Sequence, residues 1–173
     1  MISLNDQTDY GLCFACGPRN NSGLQLQFQR DDEKVITSYT ASDSHQGFPE
    51  YLHGGIISTL LDEVMSRVSV LENQWTMTAR MDVRFRRPVM THQTIKAIGE
   101  KIRDRGGFFE ARGRVYLPNG SIAAEATGTY APVPNQTLSS MASDYPILAS
   151  EWMVPKQQHA SRSNKTGQHP SET

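Results

Sequence analysis

Cysteine is scarce in this 173-residue chain, which has two, and no run of apolar residues is long enough to cross a membrane. Without about eighteen consecutive apolar residues there is no candidate spanning helix, so no membrane partner is expected. The polar start Asn5-Asp6-Gln7-Thr8-Asp9 lacks the charged-then-apolar profile of a secretory leader, and the expected location is cytoplasmic. Excess charge is missing too: 17 Lys and Arg face 18 Asp and Glu, a formal net charge of -1. That removes the global basic field that would argue for nucleic acid and the acidic block of a solvating tail. No internal repeat is visible.

The two cysteines stand in Cys13-Phe14-Ala15-Cys16-Gly17. A zinc ribbon needs two more ligands, no second Cys-x-x-Cys follows, and a complete site would have to recruit His45, His53 or His92. The stretch Gly17-Pro18-Arg19-Asn20-Asn21-Ser22-Gly23 reads as turns, where a thioredoxin-type redox motif wants a helix. The expectation is reduced structural thiols, with no metal and no redox cofactor.

What the chain does contain is one domain's worth of residues with a long amphipathic helix at its centre. Ile57, Leu60, Leu61, Val64, Met65, Val68 and Leu71 recur at three- and four-residue spacing, and Leu52-His53-Gly54-Gly55 opens the run. Two glycines at a helix start let another molecule approach unpaired N–H groups that carry partial positive charge. On a second stripe Gly55, Ser58, Thr59, Asp62, Ser66 and Ser69 share a face of small and polar residues. Burying a carboxylate there costs free energy unless it is hydrogen-bonded or used, so Asp62 is a functional candidate. A structural Asp bonded to a neighbouring strand or subunit is the alternative. Glu63 points about a quarter-turn away and is read as structural.

Strands flank the helix. Leu24 to Phe28 alternates apolar and polar, and Lys34 to Thr40 follows as a second strand. Ser42 to Leu52, with Gly47, Phe48 and Pro49, reads as a loop delivering the chain to the helix. After the helix come Arg80 to Arg86, Ile95 to Ile102, Phe108 to Leu117 and Ile122 to Tyr130, joined by turns at Arg105-Gly106-Gly107 and Pro118-Asn119-Gly120. Two strands, one long helix and a meander predict an α+β domain in which an antiparallel sheet wraps round a central helix. The domain is expected to span 1–133. A polar extension spans 134–173 and has almost nothing to bury from about residue 156.

His53-Gly54-Gly55, the acid nine positions after the His, and the strand order resemble the hotdog-fold acyl-coenzyme A thioesterases of the phenylacetate-pathway type. The Cys13 to Gly17 segment followed by Asn20 and Gly23-Leu24 is similar to an N-terminal signature of bacterial members of that superfamily. The resemblance covers about residues 13–132. It implies that Gly55, or the adjacent backbone N–H, polarises a thioester carbonyl, that Asp62 acts as general base or nucleophile, and that Thr78 helps position the attacking water. Relatives carry Asn or Gln six residues before the motif His, where this chain has Gly47. Gln46, one position earlier, substitutes if the loop accommodates one extra residue.

The chemistry has its own logic. Thioester hydrolysis develops charge on the carbonyl oxygen, which helix-start donors stabilise while a carboxylate activates the nucleophile. Gly55 and Asp62 are seven residues apart, about 10 Å along the axis, too far to serve one thioester from one helix. A homodimer with shared sites and antiparallel helices is therefore expected, with a dimer of dimers left open. Arg84, Arg86 and Arg87, together with Arg103 and Arg105, are candidates for the phosphates of coenzyme A, with solvated edge charges as the alternative. His53 and Gly54 complete the binding set, His53 chiefly by fixing the loop. Two other readings remain: a non-catalytic acyl-CoA binding or sensing module, and a hydratase or dehydratase on the same fold. The latter wants a His beside the acid, and His53 is the histidine expected near the helix. Phe48, Tyr51, Met65, Trp75, Met77 and Met81 are candidates to line an acyl pocket.

Overall fold

The structure is a computed structural model that describes residues 2–3, 11–72 and 74–137. From residue 138 onward the polar extension expected over 134–173 lies outside the described residues.

One helix, α1 (Gly54–Val70), is backed by seven strands: β1 (Ile2–Ser3), β2 (Phe28–Asp31), β3 (Lys34–Thr40), β4 (Thr76–Phe85), β5 (Thr94–Arg105), β6 (Phe108–Tyr116) and β7 (Ile122–Pro132). They form a single antiparallel sheet in the order β1-β2-β3-β5-β6-β7-β4. The first strand after the helix is thus placed at the far end of the sheet, beside the last. Its other edge pairs with nothing among the described residues.

The helix lies on one face because its apolar stripe demands it. Leu60, Leu61, Val64 and Met65 are wholly buried, each removal from water contributing roughly 1.5–3 kcal/mol. They meet alternate residues of the strands, among them Ile95, Ala97, Phe109, Ala111, Val115, Ala124 and Tyr130. Close approach needs a gap in the sheet's side chains. At Gly99 of β5 a Cβ would stand 2.0 Å from the carbonyl oxygen of Val64, so backbone packs directly on backbone there. The opposite face of the sheet is charged: Glu100 accepts from Arg112 and Arg114, and Glu125 pairs with Arg86.

The segment 24–27 differs from the expected strand. Leu24, Leu26 and Phe28 are buried in alternation, but the Leu24 and Leu26 amides donate to Phe14 O and Ala15 O. The first half of the run is therefore tied to the cysteine loop, and sheet pairing begins only at Phe28. Strand β4 starts at Thr76, four residues before the expected boundary. Met65, expected to line an acyl pocket, is instead a core residue.

Candidate active site

The helix start is fixed from both sides. The Leu52 amide donates to Val89 O and the His53 amide to His45 O, at 2.8 and 2.9 Å. The preceding loop folds back on itself through a Gln46–Leu52 bridge and a Gly47 N–H···O=C Tyr51 bond. His53 is the N-cap: its Nδ1 accepts from the Gly55 N–H at 2.8 Å, and its carbonyl accepts from Ile56 and Ile57. An accepting Nδ1 leaves the ring proton on Nε2. The amide expected to polarise a carbonyl is thus already donated within the chain. Gly54, the first helical residue, is the adjacent donor, with the Phe85 ring 3.4 Å from where its Cβ would stand.

Asp62 lies two turns further on, half-buried on the stripe of small residues that the sheet leaves uncovered. Its Oδ1 accepts from Thr78 Oγ1 at 2.8 Å and from the Tyr130 hydroxyl at 3.2 Å. Thr78 reaches it through a bulge. Strict alternation would put Thr78 on the same face as Arg80, Asp82 and Arg84, away from the helix. The register between β4 and β7 slips between Thr78 and Arg80, and the extra residue Ala79 turns Thr78 to the helix side. Tyr130 was not anticipated. Its ring is fully buried, burial and the neighbouring Asp62 charge push its hydroxyl pKa up, and Gly128 makes room for it: a Cβ there would stand 2.7 Å from the ring.

Beside the helix start is a cleft of about 800 Å³, walled by Phe14 and Asn21–Gly23 on one side and by His45, Gln46 and His53 on the other. Gln46 lines it, with its side-chain carbonyl accepting from the Glu50 amide. His45 is a second histidine near the helix, correcting the expectation that His53 stands alone there. Its Nδ1 bonds the Tyr39 hydroxyl and lies 3.2 Å from Ser42 Oγ. Asp62 and Thr78 do not line this cleft within one chain.

The arginines divide into two groups. Arg86 is paired with Glu125, Arg87 donates to Ile122 O at 3.0 Å, and Arg84 stands across from Glu125 in register. All three lie at the end of the sheet where Phe85 meets Gly54. Arg103 pairs with Glu110 at 2.8 Å, and Arg105 closes the β5–β6 turn. These two lie near Lys101, which is bonded to Glu72 just past the end of the helix. Within one chain they are therefore separated from the helix start by roughly the length of α1, on the order of 25 Å. Among the described residues no group of three or more His, Cys, Asp or Glu is placed to hold a metal ion, and no helix is long and apolar enough to cross a membrane.

No family model matches the chain, and no curated protein matches it. Solved structures do. A thioesterase superfamily protein superposes with a TM-score of 0.65 at 23% identity over 68% of this chain and 62% of that one. A Streptococcus mutans protein bound to acetyl CoA gives 0.59 at 19% identity, over 62% of this chain and 88% of that one. The E. coli PaaI protein from the phenylacetic acid degradation operon gives 0.60 at 13% identity, over 64% and 81%. At these identities the likeness speaks to architecture. An antiparallel sheet wrapped round one long helix, in the arrangement of these solved structures, is the hotdog fold.

Proposed function

We propose that the protein is an acyl-CoA thioesterase, hydrolysing a small or medium acyl or aryl thioester to the free acid and coenzyme A. The observation that carries this reading is the Asp62 carboxylate held by Thr78 and Tyr130 on the helix face that the sheet leaves open. Two hydrogen-bond donors orient the carboxylate, and the bulge at Ala79 serves to bring one of them there. In the proposed reaction Asp62 takes a proton from water or attacks the carbonyl itself, while Thr78 positions the water and helix-start amides hold the developing oxyanion. The fold shared with a thioesterase superfamily protein and with a Streptococcus mutans protein bound to acetyl CoA supports the substrate class.

A second chain is part of this reading. Asp62 does not line the cleft of its own chain, and a second copy with its helix antiparallel would place its helix start against this Asp62. The site then draws on side chains and backbone amides of two protomers. Arg84, Arg86 and Arg87 are the phosphate candidates on the same end as the helix start, whereas Arg103 and Arg105 reach a shared site only from the partner.

One observation favours the second reading, a non-catalytic acyl-CoA binding module: the Gly55 amide is donated to His53. Catalysis would need His53 to turn away or Gly54 to serve as donor. Free-thiol release from a panel of acyl-CoAs, measured beside equilibrium binding, separates the two. Turnover on at least one substrate, lowered about a hundredfold to ten-thousandfold in Asp62→Asn with coenzyme A affinity kept, is expected. Tight binding without thiol release across the panel would establish the binding module.

A further inference from the structure

The two cysteines were expected to be reduced structural thiols, and their surroundings suit a reactive pair. The Gly17 amide donates to Cys13 O at 2.9 Å, so Cys13 and Cys16 lie on one tight turn. Such a turn is a single helical turn not continued, which makes residues three apart neighbours. A disulfide spans about 4.4–6.8 Å. Both cysteines are half-buried, and both line a cavity of about 200 Å³ with Glu63, Arg67 and Trp75.

Arg67 is what sets the pair apart. It is 6% exposed, its guanidinium lies 4.0 Å over the Phe28 ring, and its Nη2 is 2.9 Å from Cys16 Sγ. A fixed cation beside a sulfur favours the thiolate, the form that attacks disulfides. The neighbouring Cys16 draws the Cys13 thiol well below its usual range, while Cys13 and burial push Cys16 up against the pull of Arg67.

We propose that Cys13 and Cys16 are a redox-active dithiol, a site that low-molecular-weight disulfides oxidise to an intramolecular disulfide bordering the smaller cavity. The Cys13 thiolate attacks one sulfur of RSSR, forming Cys13–S–S–R and breaking the R–S–S–R bond to release RS⁻, which takes up a proton. Cys16 then gives up its proton, its charge held by Arg67, and attacks Cys13 Sγ. The Cys13–SR bond breaks and the second RS⁻ leaves with that proton. Two cysteine thiols lose two electrons, and RSSR gains them as two RSH. The cleft wall moves with the pair, since Phe14 between the cysteines lines the cleft, and Phe14 O and Ala15 O hold the Leu24 and Leu26 amides.

The test uses the full chain, reduced and then exposed under folding conditions to excess oxidised glutathione. The expected result is loss of both thiols together, a mass lower by two hydrogen atoms, and a Cys13–Cys16 cross-linked peptide on digestion. Cys16→Ser should retain glutathione on Cys13, and Cys13→Ser should form no intramolecular cross-link, since the second displacement needs both sulfurs. Persistent free thiols, a stable glutathione adduct on the wild type, or cross-links between chains would overturn the proposal. Hydrogen exchange at Leu24 and Leu26 reads the cleft wall without recourse to activity. Faster or slower exchange on oxidation is expected, and identical exchange would remove the link to the cleft while leaving the thiol result to stand or fall separately.

Discussion

Asp62 and Glu63 are sequence neighbours with opposite surroundings, and this decides what each substitution does. Asp62 meets two hydroxyl donors on an open face. Glu63 lies on the side of the cysteines, 3.4 Å from Arg67, and burial pushes its pKa up to about 7 in spite of that cation. In the proposed reaction Glu63→Gln should therefore cost less than about tenfold in rate, or about 1.4 kcal/mol of barrier, against the far larger loss in Asp62→Asn. Its signature is in stability. A carboxyl that holds its proton more tightly when folded favours the fold at low pH and loses that advantage as pH rises from about 4.5 to about 7. Thermal unfolding of wild type and Glu63→Gln should accordingly shift in favour of the variant between pH 5 and pH 8, and a constant difference would count against the burial. Tyr130→Phe removes one donor to Asp62 and should, in the proposed reaction, leave the proposed dimer intact while lowering kcat by about tenfold, near the upper end of one hydrogen bond's worth. Asp62 was legible as a small-residue stripe's lone acid and Thr78 through the resemblance. Tyr130 was not, because nothing local in the sequence links it to a residue 68 positions away.

Secondary-structure elements were legible where periodicity was uninterrupted. The helix, β3 and the three-strand meander fall within a few residues of their expected bounds, because each alternates or repeats against one buried face. Backbone irregularity was the hidden part. The bulge at Ala79 has no sequence mark beyond a small residue, and 24–27 alternates like a strand although its partners are loop carbonyls. The contact between α1 and the sheet is open to a direct comparison. In Gly99→Ala the new methyl meets the Val64 carbonyl oxygen at 2.0 Å, and backbone must move. In Gly113→Ala it meets Met65 Cγ at 3.0 Å and Leu61 Cδ2 at 3.1 Å, which are side chains able to turn. Urea unfolding should show Gly99→Ala destabilised by about 2–3 kcal/mol or more and Gly113→Ala by less. The reverse order would mean that the helix does not lie where Gly99 places it.

At the scale of the whole molecule, the proposed shared site makes activity a property of pairs. Mixing Asp62→Asn chains with chains disabled at the helix start by Gly54→Pro should restore partial activity through hybrid dimers, each with one intact site. Two inactive preparations that stay inactive on mixing, while native mass measurements show that they exchange subunits, would place the whole site in one chain. Arg84→Ala combined with Arg87→Ala should raise KM for CoA thioesters at nearly unchanged kcat, with no effect on a truncated thioester that lacks the nucleotide. The ten-residue strand β4, unpaired along one side among the described residues, has a further consequence. An open strand edge is a template for runaway addition of further chains. Two copies joined antiparallel along this edge would use it up on both, so growth would halt at two. Pairing would then be a safeguard for solubility, and a newly made chain would be most at risk in the interval before it finds its twin.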